Sequence, residues 1–276
     1  MESRGVRIAI KIGTVLVLAF LYVPLLIVVI YSFNNDIGQT WPIDSFTTKY
    51  YTLAWQNSLV RTALGTSLLV ATIATLLAFV FGSLAAFAVH RFRFFGRNAV
   101  SFVLVLPIAL PGILTGIALN NAINNYGIPF SVWTIMIGHA TFCIVVVYNN
   151  VLARLRRTGG SQVEASMDLG ADGWQTFRYV TWPAIRTAVI AGMLLAFALS
   201  FDEIVVTTFT AGTQSTLPIW IFGNIRLGQQ LPQVNVVVLF VILISLIPVA
   251  LARRLTRDTG VLRPAAVGAA VGGGTI

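Results

Sequence analysis

The chain has 276 residues, of which 57% are hydrophobic and only 10% charged, with a net charge of +9 and a mean hydropathy of +0.86. A soluble domain carries about 25% charged residues, so this chain cannot clothe a water-facing surface and lipid must be its solvent. The basic residues fall in short clusters between long apolar runs and form no basic stripe, which excludes a nucleic-acid-binding domain. The single cysteine, Cys143, excludes an intrachain disulfide framework.

In chain order, the first uncharged run spans Ile12 to Asn35. At roughly 20 residues per bilayer crossing it is long enough to span. Its basic flank resembles a signal peptide, but no small-residue cleavage site follows, and a retained helix is expected. Further crossings are expected after Arg61, between Asn98 and Ala153 (two, with a turn at the Asn-rich, Gly- and Pro-containing stretch from Asn120 to Phe130), after Pro183, and from Val234 to Ala252. The spans read 12–33, 64–89, 99–119, 131–153, 184–206 and 234–252, in a single membrane domain. A cytoplasmic loop is expected at 154–186, and a Gly-rich, poorly ordered tail at 264–276. The runs are continuously apolar, which excludes the alternating strands of a membrane β-barrel.

Basic residues orient the bundle. With both termini inside, the cytoplasmic segments hold Arg4, Arg7, Lys11, Arg91, Arg93, Arg97, Arg154, Arg156, Arg157, Arg178, Arg186, Arg253, Arg254, Arg257 and Arg263. The outer segments hold only Lys49, Arg61 and Arg226.

The loop at 154–186 carries the strongest local signals. Ser161 and Glu164 have capping-box spacing, Gly170 stands where a left-handed residue ends a helix, and Asp172 with Gln175 forms a second box. Pro183 is expected to separate the second short helix from the span that follows. The result is a helix–Gly–helix hairpin at 161–183 whose apolar side chains need a partner, either the chain's own bundle or another subunit.

The sequence Glu164-Ala165-Ser166, three residues, Gly170, nine residues, Val180, one residue, Trp182-Pro183 resembles the EAA motif of bacterial ABC importer permeases. Ser166 stands for the motif's third Ala and Trp182 for its Leu. The stretches Leu106–Leu119, Gly138–Asn150 and Ala198–Phe222 resemble the spermidine/putrescine branch of that family. The resemblance implies an all-α type I ABC importer permease fold of six transmembrane helices in the bacterial cytoplasmic (inner) membrane. It implies that the hairpin docks on a separate ATPase through Glu164, Ala165, Ser166, Gly170, Ala171, Phe177 and Pro183. It also implies a sister permease, two ATPase subunits and an extracytoplasmic solute-binding protein, with a polyamine as cargo. No phosphate-binding loop occurs in the sequence, so ATP and Mg are expected on the partner ATPase, with no cofactor and no catalytic residue in this chain. His90 and His139 are too far apart for a metal site.

Five polar residues in or beside the spans are candidates for the translocation path. His139 is an intramembrane ionisable group, read either as path-lining or as an interhelical hydrogen-bonding group. Asn120 and Asn124 end the third span, as part of a vestibule or as caps. Pro107 and Pro111 should kink that span. Asp202 and Glu203 are the only carboxylates in the expected spans. Asp202 lies roughly 27 Å along a helix begun at Ala184, near the outer edge of the bilayer core. They attract a cation or mark the helix end. The alternative functions are an ion-gradient-driven secondary transporter, which calls for inverted repeats and midplane charges, and an ABC importer permease for another small solute.

Overall fold

The computed structural model describes residues 4–257, and the expected tail at 264–276 lies outside them. The helices are α1 (Arg4–Tyr31), α2 (Lys49–Gln56), α3 (Ser58–Arg91), α4 (Arg97–Ala109), α5 (Gly112–Asn125) and α6 (Val132–Arg157). They continue as α7 (Gly160–Asp168), α8 (Gly173–Thr176), α9 (Trp182–Phe201), α10 (Val205–Thr210), α11 (Leu217–Leu227) and α12 (Leu231–Arg257). A π-helical turn, Phe177–Thr181, joins α8 to α9.

The centre is a triad of α3, α6 and α9, which make the most extensive contacts with one another. The reason lies in side-chain size. On α3, Ala71, Ala74, Ala78, Gly82 and Ala86 recur every three or four residues and are all buried. In lipid, helices associate by close packing, which small residues permit. A Cβ on Gly82 would lie 2.8 Å from the carbonyl oxygen of Ile144 on α6, so the two backbones touch there. Val147 and Val151 of α6 and Val189 and Ala196 of α9 fill the same core. A second core joins α2, α3, α11 and α12 through Tyr50, Ala63, Leu217, Trp220 and Val236. The peripheral α1 buries none of its residues and packs against α12.

Four helical stretches are long and apolar enough to cross a bilayer unaided: Arg4–Tyr31, Ser58–Arg91, Val132–Arg157 and Gly173–Phe201. The span expected at 99–119 is instead two helices, α4 and α5, bent by 106°. Pro111 causes the break, because the residue before a proline is driven out of the α region. Leu110 is extended, at φ −83° and ψ 146°. Pro107, the other expected kink, lies inside α4.

The span expected at 184–206 also differs. The helix ends at Phe201, with Asp202 as its C-cap, and α10 begins at Val205, so Asp202 and Glu203 lie in the break between two helices. Nor does Pro183 separate hairpin from span, since the helical path is continuous from Gly173 to Phe201. The proline's missing N–H and its clash with the preceding turn are absorbed by the wider π turn, in which the Trp182 N–H reaches back five residues to the Phe177 carbonyl. Helices α2, α10 and α11 lie in stretches where no separate helix is expected.

Candidate functional site: the hairpin and the α9–α10 break

The hairpin is set by its glycine. Gly170 has φ +87°, a left-handed conformation. The Ala171 N–H donates to Ser166 O at 3.1 Å and the Gly170 N–H to Met167 O at 2.9 Å. These two bonds close the end of α7 in the Schellman pattern. The second arm opens as the spacing implies: Asp172 Oδ1 accepts from the Gln175 N–H at 2.7 Å, and Gln175 Oε1 accepts from the Asp172 N–H at 3.0 Å. The first capping box does not form. Helix α7 starts two residues earlier, with Gly159 as its cap, which leaves Ser161 inside the helix and Glu164 without a partner among the described residues. Gly159 is extended and the Gln162 N–H reaches its carbonyl at 3.3 Å, so the backbone supplies the first bond without Ser161.

The two arms are tied by Ser166 Oγ and Thr176 Oγ1, 3.2 Å apart. An alanine at 166 could not make this link. Phe177 stacks on Trp174 and meets Phe87 of α3 edge-on, which docks the hairpin to the bundle. Arg154 adds a clamp, its Nε donating to Ala184 O at 2.7 Å. The remaining apolar groups have no such cover: Leu169 is 90% exposed, Tyr179 71% and Trp174 66%. Glu164, Ala165 and Gly170 are exposed, Ala171 is half-buried, and Pro183 opens α9.

At the opposite part of the bundle, the α9–α10 break is held by His139 of α6. His139 is 1% exposed. Its Nδ1 lies 2.8 Å from Ser200 Oγ at the end of α9, and its Nε2 lies 2.8 Å from Thr207 Oγ1 on α10. The Thr207 hydroxyl donates to the Glu203 carbonyl at 2.7 Å. Its one proton is therefore used, so it accepts from His139 Nε2–H, and Nδ1 accepts from the Ser200 hydroxyl. A neutral imidazole closes the whole network. Neither ring nitrogen is left to meet a solute.

The acidic pair divides in two. Glu203 Oε1 accepts from the Val206 N–H at 2.9 Å and caps α10. The carboxylate of Asp202 is exposed and has no hydrogen-bonding partner among the described residues. The asparagines reach the same region, since Asn120 Nδ2 donates to Phe209 O on α10 at 2.7 Å and Asn124 Nδ2 donates to Asn120 Oδ1 at 2.9 Å. Helix α5 lies close against α10, and a Cβ on Gly116 would fall 2.5 Å from the Phe209 ring. His139, Glu203 and Asn120 thus bond to α10, Asn124 reaches it only through Asn120, and Asp202 stands in the break before it. Ser200, Thr207 and Thr176 carry the geometry without having been singled out in the sequence. The Thr207-Thr208-Phe209-Thr210 run, hydroxyl-rich within an apolar stretch, was the signal available for α10.

The sequence matches the family described as binding-protein-dependent transport system inner membrane component over residues 78–261. The chain belongs to that family. It is therefore a multi-pass integral protein of a bacterial inner membrane, a permease subunit and not an enzyme. It is 34% identical over 242 residues to the spermidine/putrescine transport system permease protein PotC of Escherichia coli K12, covering 87% of this chain and 90% of that one. It is 36% identical to the E. coli K12 putrescine transport system permease protein PotI over 226 residues, covering 78% of this chain and 79% of that one. Among solved structures, a chain of a bacterial ABC transporter involved in import of the acidic polysaccharide alginate shares the fold. Its TM-score is 0.66 at 17% identity, covering 95% of this chain and 99% of that one. A chain of the inward-facing MetNI methionine ABC transporter aligns at TM-score 0.62 and 15% identity, covering 76% and 99%.

Proposed function

We propose that the chain is the membrane-spanning subunit of a type I ABC importer that carries a polyamine into the cytoplasm by alternating access. The uncovered hairpin carries this reading. Leu169, Trp174 and Tyr179 are too exposed for a finished surface, and they sit on a Gly170-closed turn with the spacing of the EAA motif. A separate ATPase, which binds ATP and Mg, seats Glu164, Ala165, Ser166, Gly170 and Ala171, while Phe177 and Pro183 pass its movement into α9. Six crossings, with α4 and α5 as one bent crossing and both termini cytoplasmic, agree with the distribution of basic residues. A sister permease, a second ATPase and an extracytoplasmic solute-binding protein complete the assembly.

The cargo follows from the names of PotC and PotI together with Asp202. An exposed, unpaired carboxylate at a helix break attracts a cation. Glu203 holds the break, His139 braces it from behind, and Asn120 and Asn124 brace α10. The test is uptake of putrescine and spermidine by the reconstituted assembly bearing Asp202→Asn or Glu203→Gln. Asp202→Asn should abolish most uptake while ATP hydrolysis persists. Wild-type uptake by both single variants and the double variant would remove the acidic pair from the path. Uphill uptake by this chain alone, driven by an ion gradient, would replace the ABC reading with a secondary transporter.

A further inference from the structure

The corner between α3 and α4 reads Arg91-Phe92-Arg93-Phe94-Phe95-Gly96-Arg97. Its two kinds of side chain separate in space. Arg91, Arg93 and Arg97 line a cavity of about 850 Å³ whose far wall is the α7–α8 hairpin, with Thr158 and Glu164 among the lining groups. Phe92, Phe94 and Phe95 lie outside that lining and are exposed, Phe95 completely. None of the three arginine side chains makes a hydrogen bond or ion pair with another described residue. His90, at the cavity edge, stands in the field of Arg97, Arg156 and Arg91. One carboxylate, Glu164, faces three guanidinium groups, so the cavity keeps an excess of positive charge around open space.

We propose that this cavity is a binding site for the phosphodiester headgroup of an anionic phospholipid. Two observations favour a lipid over a free anion. Three exposed phenylalanines at the end of a membrane helix take their apolar area out of water by entering lipid, which holds the corner against the bilayer surface. Helix α4, which begins at this corner, buries none of its residues and exposes Val100, Phe102 and Val103, an apolar track along which the acyl chains lie. Guanidinium groups pair with phosphate oxygens in a fork geometry, and basic pockets between membrane helices on the cytoplasmic side take anionic headgroups. The occupant lies between the bundle and the Thr158–Gly160 start of the hairpin, so it fixes the seat of the coupling element. The site is independent of the cargo and uses only the placement of this corner at the membrane surface.

The experiment titrates the full chain, in non-ionic detergent, with phosphatidylglycerol, phosphatidylcholine or inorganic phosphate, and reads bound lipid by native mass spectrometry. Phosphatidylglycerol should bind and phosphatidylcholine should not. Each lost arginine should weaken binding roughly fivefold, and the triple Arg91→Gln, Arg93→Gln, Arg97→Gln variant about a hundredfold. A charge-matched Arg4→Gln, Arg7→Gln, Lys11→Gln variant should stay close to wild type. If the triple variant does not fold, Arg93→Gln alone carries the test at roughly fivefold. Equal weakening by the charge-matched variant, equal binding of phosphatidylcholine, or displacement of the lipid by millimolar inorganic phosphate would each overturn the proposal, the last in favour of a free-anion site.

Discussion

Replacing His139 with leucine keeps most of the buried volume and removes both ring nitrogens. Each lost interhelical bond is worth about 0.6 kcal/mol on average in a membrane bundle. Thr207 keeps its bond to the Glu203 carbonyl, but Ser200 loses the partner at 2.8 Å, and an unsatisfied buried hydroxyl costs about 1–3 kcal/mol. His139→Leu should therefore destabilise the chain by about 2–3 kcal/mol. A His139→Gln variant, whose amide reaches Thr207 with an N–H, should recover about half of that. The assay is reversible unfolding in mixed micelles with increasing SDS, run as a double-mutant cycle with Thr207→Val. Coupling of roughly 0.5–1.5 kcal/mol is expected between the two sites. A coupling near zero, or a His139→Leu variant as stable as wild type, would refute the clamp.

Gly170→Val should cost about 1–2 kcal/mol, the penalty for a side chain in the left-handed region. Nothing lies within 4 Å of the added Cβ, so the strain is all backbone; wild-type uptake and ATPase co-purification would remove the turn from the mechanism. Gly82→Ala forces the α3 and α6 backbones apart against Ile144 O and should cost about 1–3 kcal/mol, whereas Gly65→Ala on the same helix meets open space and should be neutral or stabilising; the same micellar unfolding reads both, and equal effects would refute the close-packing argument. The Asp36 carboxylate accepts from the Thr40 hydroxyl and from the Gly38 and Thr40 amides, which hold its pKa below the ordinary aspartate value. A depressed carboxylate stabilises the fold above its unfolded pKa of about 3.9 and loses that contribution as pH falls through the folded value. Amide exchange at Gly38 and Thr40, corrected for intrinsic rate, should therefore lose protection only below about pH 4; constant protection down to pH 2 would count against the Asp36 turn.

The membrane class, the sites of the apolar helices and the Gly170 hairpin were legible because each rests on a local rule. Run length reports bilayer thickness, and a glycine at a helix end reports a left-handed residue. The Asp172–Gln175 box was equally local, and it formed. The Ser161–Glu164 box obeyed the same spacing and did not form, because the backbone of Gly159 took the cap first. The tertiary structure alone decided the rest. A kink at Pro111 was legible, because a proline acts on its own neighbour, but continuous hydropathy cannot register that it amounts to a 106° bend or that α9 ends at Phe201, since both halves of a broken helix are apolar. The same blindness hid which acidic residue is free. Sequence places Asp202 and Glu203 side by side, and only the start of α10 engages Glu203 with the Val206 amide and leaves Asp202 unpaired. The role of His139 was likewise undecidable from its neighbours in sequence. Its two partners, Ser200 and Thr207, lie 61 and 68 residues away and meet it only because α9 and α10 fold against α6.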